Sequence, residues 1–171
     1  MIVLTVPEDI YREARDHLLQ NEIEQVAFFF CRVGGDGENT VLDVFDWHPV
    51  PSGGFTEQLE YYVELTDEEK ARVIKEAWDR KAALVEVHSH PKSRRAEFSY
   101  SDLEGLHEFV PHVRWRLKEK PYAALIVGSR DMDALAWVER DGRVATLDEI
   151  RVGTRRLRPT GITYRKLARR K

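Results

Sequence analysis

The apolar positions of this 171-residue chain recur with two different periods, and the changes between them divide it into elements. Residues 2–6, Ile-Val-Leu-Thr-Val, read as a strand. Pro7 with Glu8 and Asp9 behind it suits a helix start, because proline is pre-set for the first turn and acids favour the N-terminal end. Ile10, Ala14 and Leu18 then recur at helical spacing and predict an amphipathic helix over 8–20, closed by Gln20-Asn21. Residues 24–33, Glu-Gln-Val-Ala-Phe-Phe-Phe-Cys-Arg-Val, are a near-continuous apolar run opening on a carboxylate. Their aromatics predict a buried central strand. Gly34-Gly35-Asp36-Gly37 is a turn, and residues 40–47 alternate as the partner strand of a hairpin. After the loop at 49–54, Phe55 to Leu65 is predicted extended, with Leu59, Tyr61 and Val63 on one face.

Thr66-Asp67-Glu68-Glu69 is a capping box. The helix it opens carries a stripe of Val73, Ile74, Ala77 and Trp78. A strand over 82–90 follows. A helix over about 100–110 is then predicted from Leu103, Leu106, His107 and Val110, with Pro111 breaking or kinking it. Tyr122 to Val127 is a further apolar strand. Residues 133–139 and 143–146 form a hairpin across Asp141-Gly142, and residues 150–157 add a last strand. No repeat or linker divides the chain. The fold class is α/β, of the α+β kind: a mixed sheet flanked by about three helices, as one domain over 1–150. Residues 151–171 follow as a C-terminal extension, a final strand plus a flexible tail.

Composition narrows the setting. Hydrophobic residues make up 42% and charged residues 33%, as in an ordinary globular domain. No apolar run approaches the ~20 residues of a membrane span. The N-terminus lacks the basic start of a signal peptide. One cysteine, Cys31, excludes an internal disulfide and a cysteine-built zinc site, and the cytoplasm is the expected compartment. Net charge is −3, unevenly spread. Residues 151–171 hold nine basic residues and no acid, so 18 basic residues face 30 acidic ones over 1–150, a balance of −12. A basic segment on an acidic body points either to a contact with an acidic surface or nucleic acid, or to a solvated terminus. No recognised nucleic-acid-binding module surrounds it, so nucleic acid is not the expected partner.

The chemistry concentrates at Val85-Glu86-Val87-His88-Ser89-His90-Pro91 and the stretch Ser99-Tyr100-Ser101-Asp102. In a strand, residues two apart share a face, roughly 6.5–7 Å from each other. His88 and His90 can therefore converge on one metal ion. Pro91 ends the strand because it has no N–H to give. Asp102 falls in the first turn of the next helix. Two histidines and one carboxylate, with a fourth position left to water, make the ligand set of a catalytic zinc site. A lone His-x-His also occurs on exposed strands; the proline and the Ser-x-x-Asp that follow favour the metal.

Such a site needs an acid to take and return a proton. Glu24 stands at the mouth of a buried strand, where burial would raise its pKa and suit it to proton transfer. It is otherwise the exposed first residue of that strand. Glu86 shares the face of His88 and His90 by alternation. It is the rival base, or a partner that holds a ligand from behind. Ser99 lies three residues before Asp102. It is either a donor to the oxyanion formed when water attacks a carbonyl or the N-cap of the helix, a role Ser101 could also fill.

Together, Glu24, His88-Ser89-His90-Pro91 and Ser99-x-x-Asp102 resemble the JAMM motif of JAB/MPN zinc metallopeptidases. That pattern is a Glu at the start of an early strand, His-(Ser/Thr)-His-Pro, and Ser-x-x-Asp. Ala27 stands where the family usually has glycine, and the His90–Ser99 gap is one residue longer than the family spacing. The resemblance implies His88, His90 and Asp102 as ligands of one Zn2+, Glu24 as general base and Ser99 as oxyanion stabiliser. It implies the family's curved mixed sheet in a cytidine-deaminase-like architecture. It also implies hydrolysis of a peptide or isopeptide bond, C-terminal to a ubiquitin-like modifier or sulfur carrier protein. The compact chain looks like the prokaryotic branch, often encoded beside ubiquitin-activating-like enzymes, so such an enzyme is a second expected partner. The family also holds members without the motif that act as non-catalytic interaction modules.

Overall fold

The computed structural model describes residues 1–36 and 38–169. Gly37 of the expected glycine turn, and Arg170 and Lys171 of the basic segment, lie outside the described residues. The described chain runs β1 (Ile2–Val6), α1 (Glu8–Leu18), β2 (Val26–Gly35), β3 (Thr40–Pro49), a short 3-10 turn (Ser52–Gly54), β4 (Phe55–Gln58), β5 (Val63–Leu65), α2 (Asp67–Asp79), β6 (Ala83–Ser89), α3 (Tyr100–Arg116), β7 (Tyr122–Val127), β8 (Met132–Trp137), β9 (Ala145–Thr146), β10 (Glu149–Val152), β11 (Arg155–Leu157) and α4 (Ile162–Ala168). Nine strands form one mixed sheet in the order β11-β10-β1-β3-β2-β6-β7-β8-β9, and β4 and β5 pair separately.

Strand alternation sorts the core onto two faces. In β2, Ala27, Phe29 and Cys31 join Val85 and Val87 of β6 under α1, where Ala14 and Leu18 are buried. Val26, Phe28 and Phe30 point the other way, with Leu84, under α2 and α3, whose Val73, Ile74, Leu106, Val110 and Val113 close that side. The same period puts Glu86 and His88 on the α2/α3 face and turns Ser89 to the α1 face. β2 and β6 are antiparallel with Val26 opposite His88. The residues just before β2 therefore lie beside the end of β6.

Several sequence expectations shift. The extended stretch expected over 55–65 is the β4–β5 hairpin, and Leu59 and Tyr61 at its turn are exposed. Trp78, expected in the buried stripe of α2, faces outward. Helix α3 is not stopped at Pro111 but runs to Arg116, because Leu106, Val110 and Val113 continue one buried stripe across the proline. The final strand is a hairpin, β10–β11, bent at Gly153 in the left-handed region with φ +57°. Beyond it the expected flexible tail is folded through Ala168. β10 lies parallel to β1 inside the sheet, so a boundary after residue 150 would cut a strand. α4 makes a fourth helix and buries Thr163. Basic side chains of this segment find partners within the fold: Arg151 and Arg156 pair with Glu149, Lys166 pairs with Glu97, and Arg155 lies over the Tyr11 ring. No described helix is long and apolar enough to cross a membrane.

Candidate metal centre

The end of β6, the residues before β2 and the first turn of α3 meet at one point. Glu24, His88 and His90 are all buried, and each offers a ligand atom within 4.8 Å of the others. Asp102 completes the group. Its Oδ1 is 3.3 Å from His88 Nε2 and its Oδ2 is 3.3 Å from His90 Nε2. Glu24 Oε1 lies 3.5 Å from His90 Nε2. Glu24 is therefore a buried acid and not the exposed first residue of a strand.

Local backbone bonding fixes each of these side chains. Ser89, turned to the opposite face, accepts the Gln25 N–H on its hydroxyl at 2.9 Å, and its own N–H donates to Gln25 O. The serine between the two histidines thus ties the end of β6 to the segment carrying Glu24. The Glu24 N–H donates to Leu59 O, and Glu24 O accepts from Gln58 Nε2 at 2.9 Å. The β4–β5 hairpin therefore clamps Glu24 from the other side. His90 is held past the strand end by its N–H donating to Val127 O.

Asp102 is positioned by a capping box. The Ser99 hydroxyl accepts the Asp102 N–H at 3.1 Å, and Asp102 Oδ2 accepts the Ser99 N–H at 2.6 Å. The three-residue spacing that makes the cap also aims the carboxylate at the two imidazoles. Ser99, not Ser101, is the N-cap. The 91–98 loop leading into this cap is held by its backbone: the Ala96 N–H donates to Asp131 Oδ1 and the Phe98 N–H to the Thr163 hydroxyl. Ser99 Oγ spends an acceptor position on the cap and lies 2.9 Å from Ser101 Oγ. Its own proton can still be donated elsewhere.

The donor set suits a metal ion. Both ring nitrogens of the buried His88 lack a hydrogen-bond partner, as does Glu24 Oε2. Leaving such groups dry and unpaired is costly. Ligand atoms about 2.0–2.1 Å from a tetrahedral ion stand about 3.3 Å apart, the spacing found between Asp102 and each imidazole. Without a metal, the buried charges act strongly on one another. Burial alone would lower the His88 pKa, but Asp102 and Glu86 lift it to about 10. Burial would raise Asp102, yet the two histidines hold it far below the usual carboxylate range. Burial pushes Glu24 up to about 7.

Glu86 does not reach the acid-base position. Its Oε1 lies 3.6 Å from His88 Nδ1, on the far side of the ring from Asp102, and its Oε2 accepts from the Tyr122 hydroxyl at 2.8 Å. A cleft of about 610 Å³ opens beside it, bordered by β5, α3, His88 and Asp102. Glu24, His88, His90 and Asp102 come together here, with Ser99 bonded to Asp102 at the edge of the group. Tyr122, which donates to Glu86, and Thr163 and Asp133, which bond in series behind Phe98, were given no role from the sequence. Asp133 gave the one available signal, a carboxylate inside the apolar strand β8; nothing in the sequence marks Thr163.

No family model matches the chain, and no curated protein matches it. Among solved structures, the chain is similar to the solution structure of protein DSY2949 from Desulfitobacterium hafniense. That match has a TM-score of 0.55 and 19% identity, over 91% of this chain and 94% of the other. The likeness is one of fold.

Proposed function

We propose that this chain is a zinc-dependent metallopeptidase of the JAB/MPN type, hydrolysing a peptide or isopeptide bond C-terminal to a ubiquitin-like or sulfur-carrier protein. The observation that carries the reading is the convergence of His88, His90 and Asp102 at 3.3 Å spacings, with the buried Glu24 carboxylate 3.5 Å from His90. The mixed sheet with helices on both faces is compatible with the architecture this family would require.

In this reading His88, His90 and Asp102 would hold the ion, which would supply Lewis acidity at the site. Glu24 takes the proton of the attacking water and passes it to the leaving amine. Its buried carboxylate lies 3.5 Å from His90, beside the ligand set, where it can accept a proton and return it. Ser99 keeps its acceptor side on the helix cap and turns its hydroxyl proton to the developing oxyanion. The adjoining cleft receives the extended tail of the substrate. Through Ala168 the basic C-terminal segment belongs to the fold, with Arg151, Arg156 and Lys166 paired to acids of the same chain. A cytoplasmic setting fits the single, buried Cys31.

The test measures metal content and cleavage of a ubiquitin-like fusion with the same preparation. One zinc per chain and cleavage abolished by chelation are expected. Protein that binds no zinc yet retains a protein partner would favour the non-catalytic interaction module of the same fold.

A further inference from the structure

His88 is a ring with one face assigned and the other unexplained. Nε2 points at Asp102, while Nδ1 points away from the centre and is buried without a hydrogen bond. A neutral imidazole that gives one nitrogen to a metal carries its proton on the other. Once Nε2 is engaged, Nδ1–H is a donor in need of an acceptor. The side chain next to it is Glu86, with Oε1 at 3.6 Å. A shift of about 0.7 Å would close that gap to a normal hydrogen bond.

Glu86 is itself held. Its other oxygen accepts from Tyr122, whose side chain is fully buried at the start of β7 and packed against Phe109 and Trp137. Burial and the Glu86 carboxylate keep the Tyr122 phenol protonated well past its ordinary range, so it stays a donor. Tyr122 and Glu86 come from neighbouring parallel strands, which leaves little freedom in the arrangement.

Resting on the metal reading above, we infer that Tyr122 and Glu86 form a two-residue support that fixes the tautomer and ring orientation of His88. Glu86 is thereby a positioning residue for the metal centre and not its base. The carboxylate strengthens the imidazole as a ligand through Nδ1, and the phenol keeps the carboxylate from rotating into the open cleft. Partners of this kind commonly govern metal affinity by about 10–100-fold.

The test compares the full-length protein with Glu86→Gln and Tyr122→Phe, both close in shape to the original. Zinc affinity is read by competition with a chelator. The His88 Nδ1–H resonance is read in zinc-loaded, ¹⁵N-histidine-labelled protein. Affinity should fall about 10–100-fold in Glu86→Gln, and by a smaller factor in Tyr122→Phe. The hydrogen-bonded Nδ1–H signal should move upfield and exchange faster with solvent, a change that a merely structural role would not produce. Metal-free melting temperatures control for folding, and should Glu86→Gln not fold, Tyr122→Phe carries the comparison alone. Unchanged affinity and an unchanged resonance in the folded variants would overturn the support while leaving the metal centre in place. Wild-type protein that binds no zinc would overturn both.

Discussion

The Phe98 N–H donates to the hydroxyl of Thr163 at 3.1 Å, across 65 residues of chain. Asp133 in β8 accepts the Thr163 N–H at 2.9 Å, so the core of the sheet grips α4, and α4 grips the loop leading to Ser99 and Asp102. The Phe98 ring meets the His88 ring edge-on at 6.2 Å. The C-terminal segment is thus a clasp behind the candidate metal centre.

Thr163→Val keeps the side-chain shape and removes the hydroxyl. The Phe98 N–H is then buried without a partner, which costs about 1–3 kcal/mol. For a chain of this size each kcal/mol is worth about 2–4 °C of melting temperature. Calorimetry should show that loss. Zinc titration should show a weaker site although Thr163 touches no ligand. An unchanged zinc affinity would remove α4 from any part in holding the Asp102 loop.

Much of this was legible in the sequence because the relevant patterns are local. The periods of β1, β2, α2 and β6 survive in the structure, and the Ser99-x-x-Asp102 spacing is a helix cap that also brings the Asp102 carboxylate to 3.3 Å from both imidazoles. What escaped was non-local. Thr163 matters through an amide 65 residues away. Tyr122 is one more aromatic in an apolar strand until its hydroxyl is seen to reach Glu86. Pro111 was expected to break or kink α3 on local grounds, and the buried stripe from Leu106 to Val113 carries the helix through it. The charge count marked residues 151–171 as an extension, although the pairing of β10 with β1 and β11, and helix α4 behind them, place this segment in the fold through Ala168.

Glu24→Gln separates the acid-base role from metal binding. Gln keeps the shape and the backbone bonds to Leu59 and Gln58, so zinc content should stay near one per chain. It cannot accept the proton, so kcat should fall by about 10²–10⁴. A zinc-loaded variant with full activity would end the assignment of Glu24 as base.

Ser99→Ala and Asp102→Ala divide the two functions of the capping box. Either removes one reciprocal bond of the cap and should cost about 1 kcal/mol of stability. In the proposed site only Asp102→Ala also removes a ligand, so zinc should be lost there and kept in Ser99→Ala. Ser99→Ala should instead lower kcat with little change in KM, as expected for a donor used in the transition state. Zinc retained in Asp102→Ala at wild-type affinity would point to Glu24 as the third ligand in its place.

The metal-free and zinc-loaded proteins should respond to pH in opposite directions. Without metal, burial holds the Glu24 pKa at about 7 against an ordinary 4.5. Between those values the folded state keeps a proton the unfolded state releases, so stability falls as pH rises through that window. For His88, burial works against the proton, but Asp102 and Glu86 hold it to about 10 against an ordinary 6.5. Its contribution is full below 6.5 and is lost as pH climbs toward 10. The Asp102 contribution, from a lowered pKa, is lost only as pH falls through the acid range. Glu24 and His88 therefore both make metal-free protein less stable at pH 8 than at pH 5.5. Zinc needs deprotonated imidazoles and carboxylates, so its affinity and the stabilisation it brings increase over the same interval. Melting temperatures at the two pH values, with chelator and with excess zinc, check the pair of slopes. A chelated protein that melts higher at pH 8 than at pH 5.5 would show that Glu24 and His88 are not coupled to folding in this way.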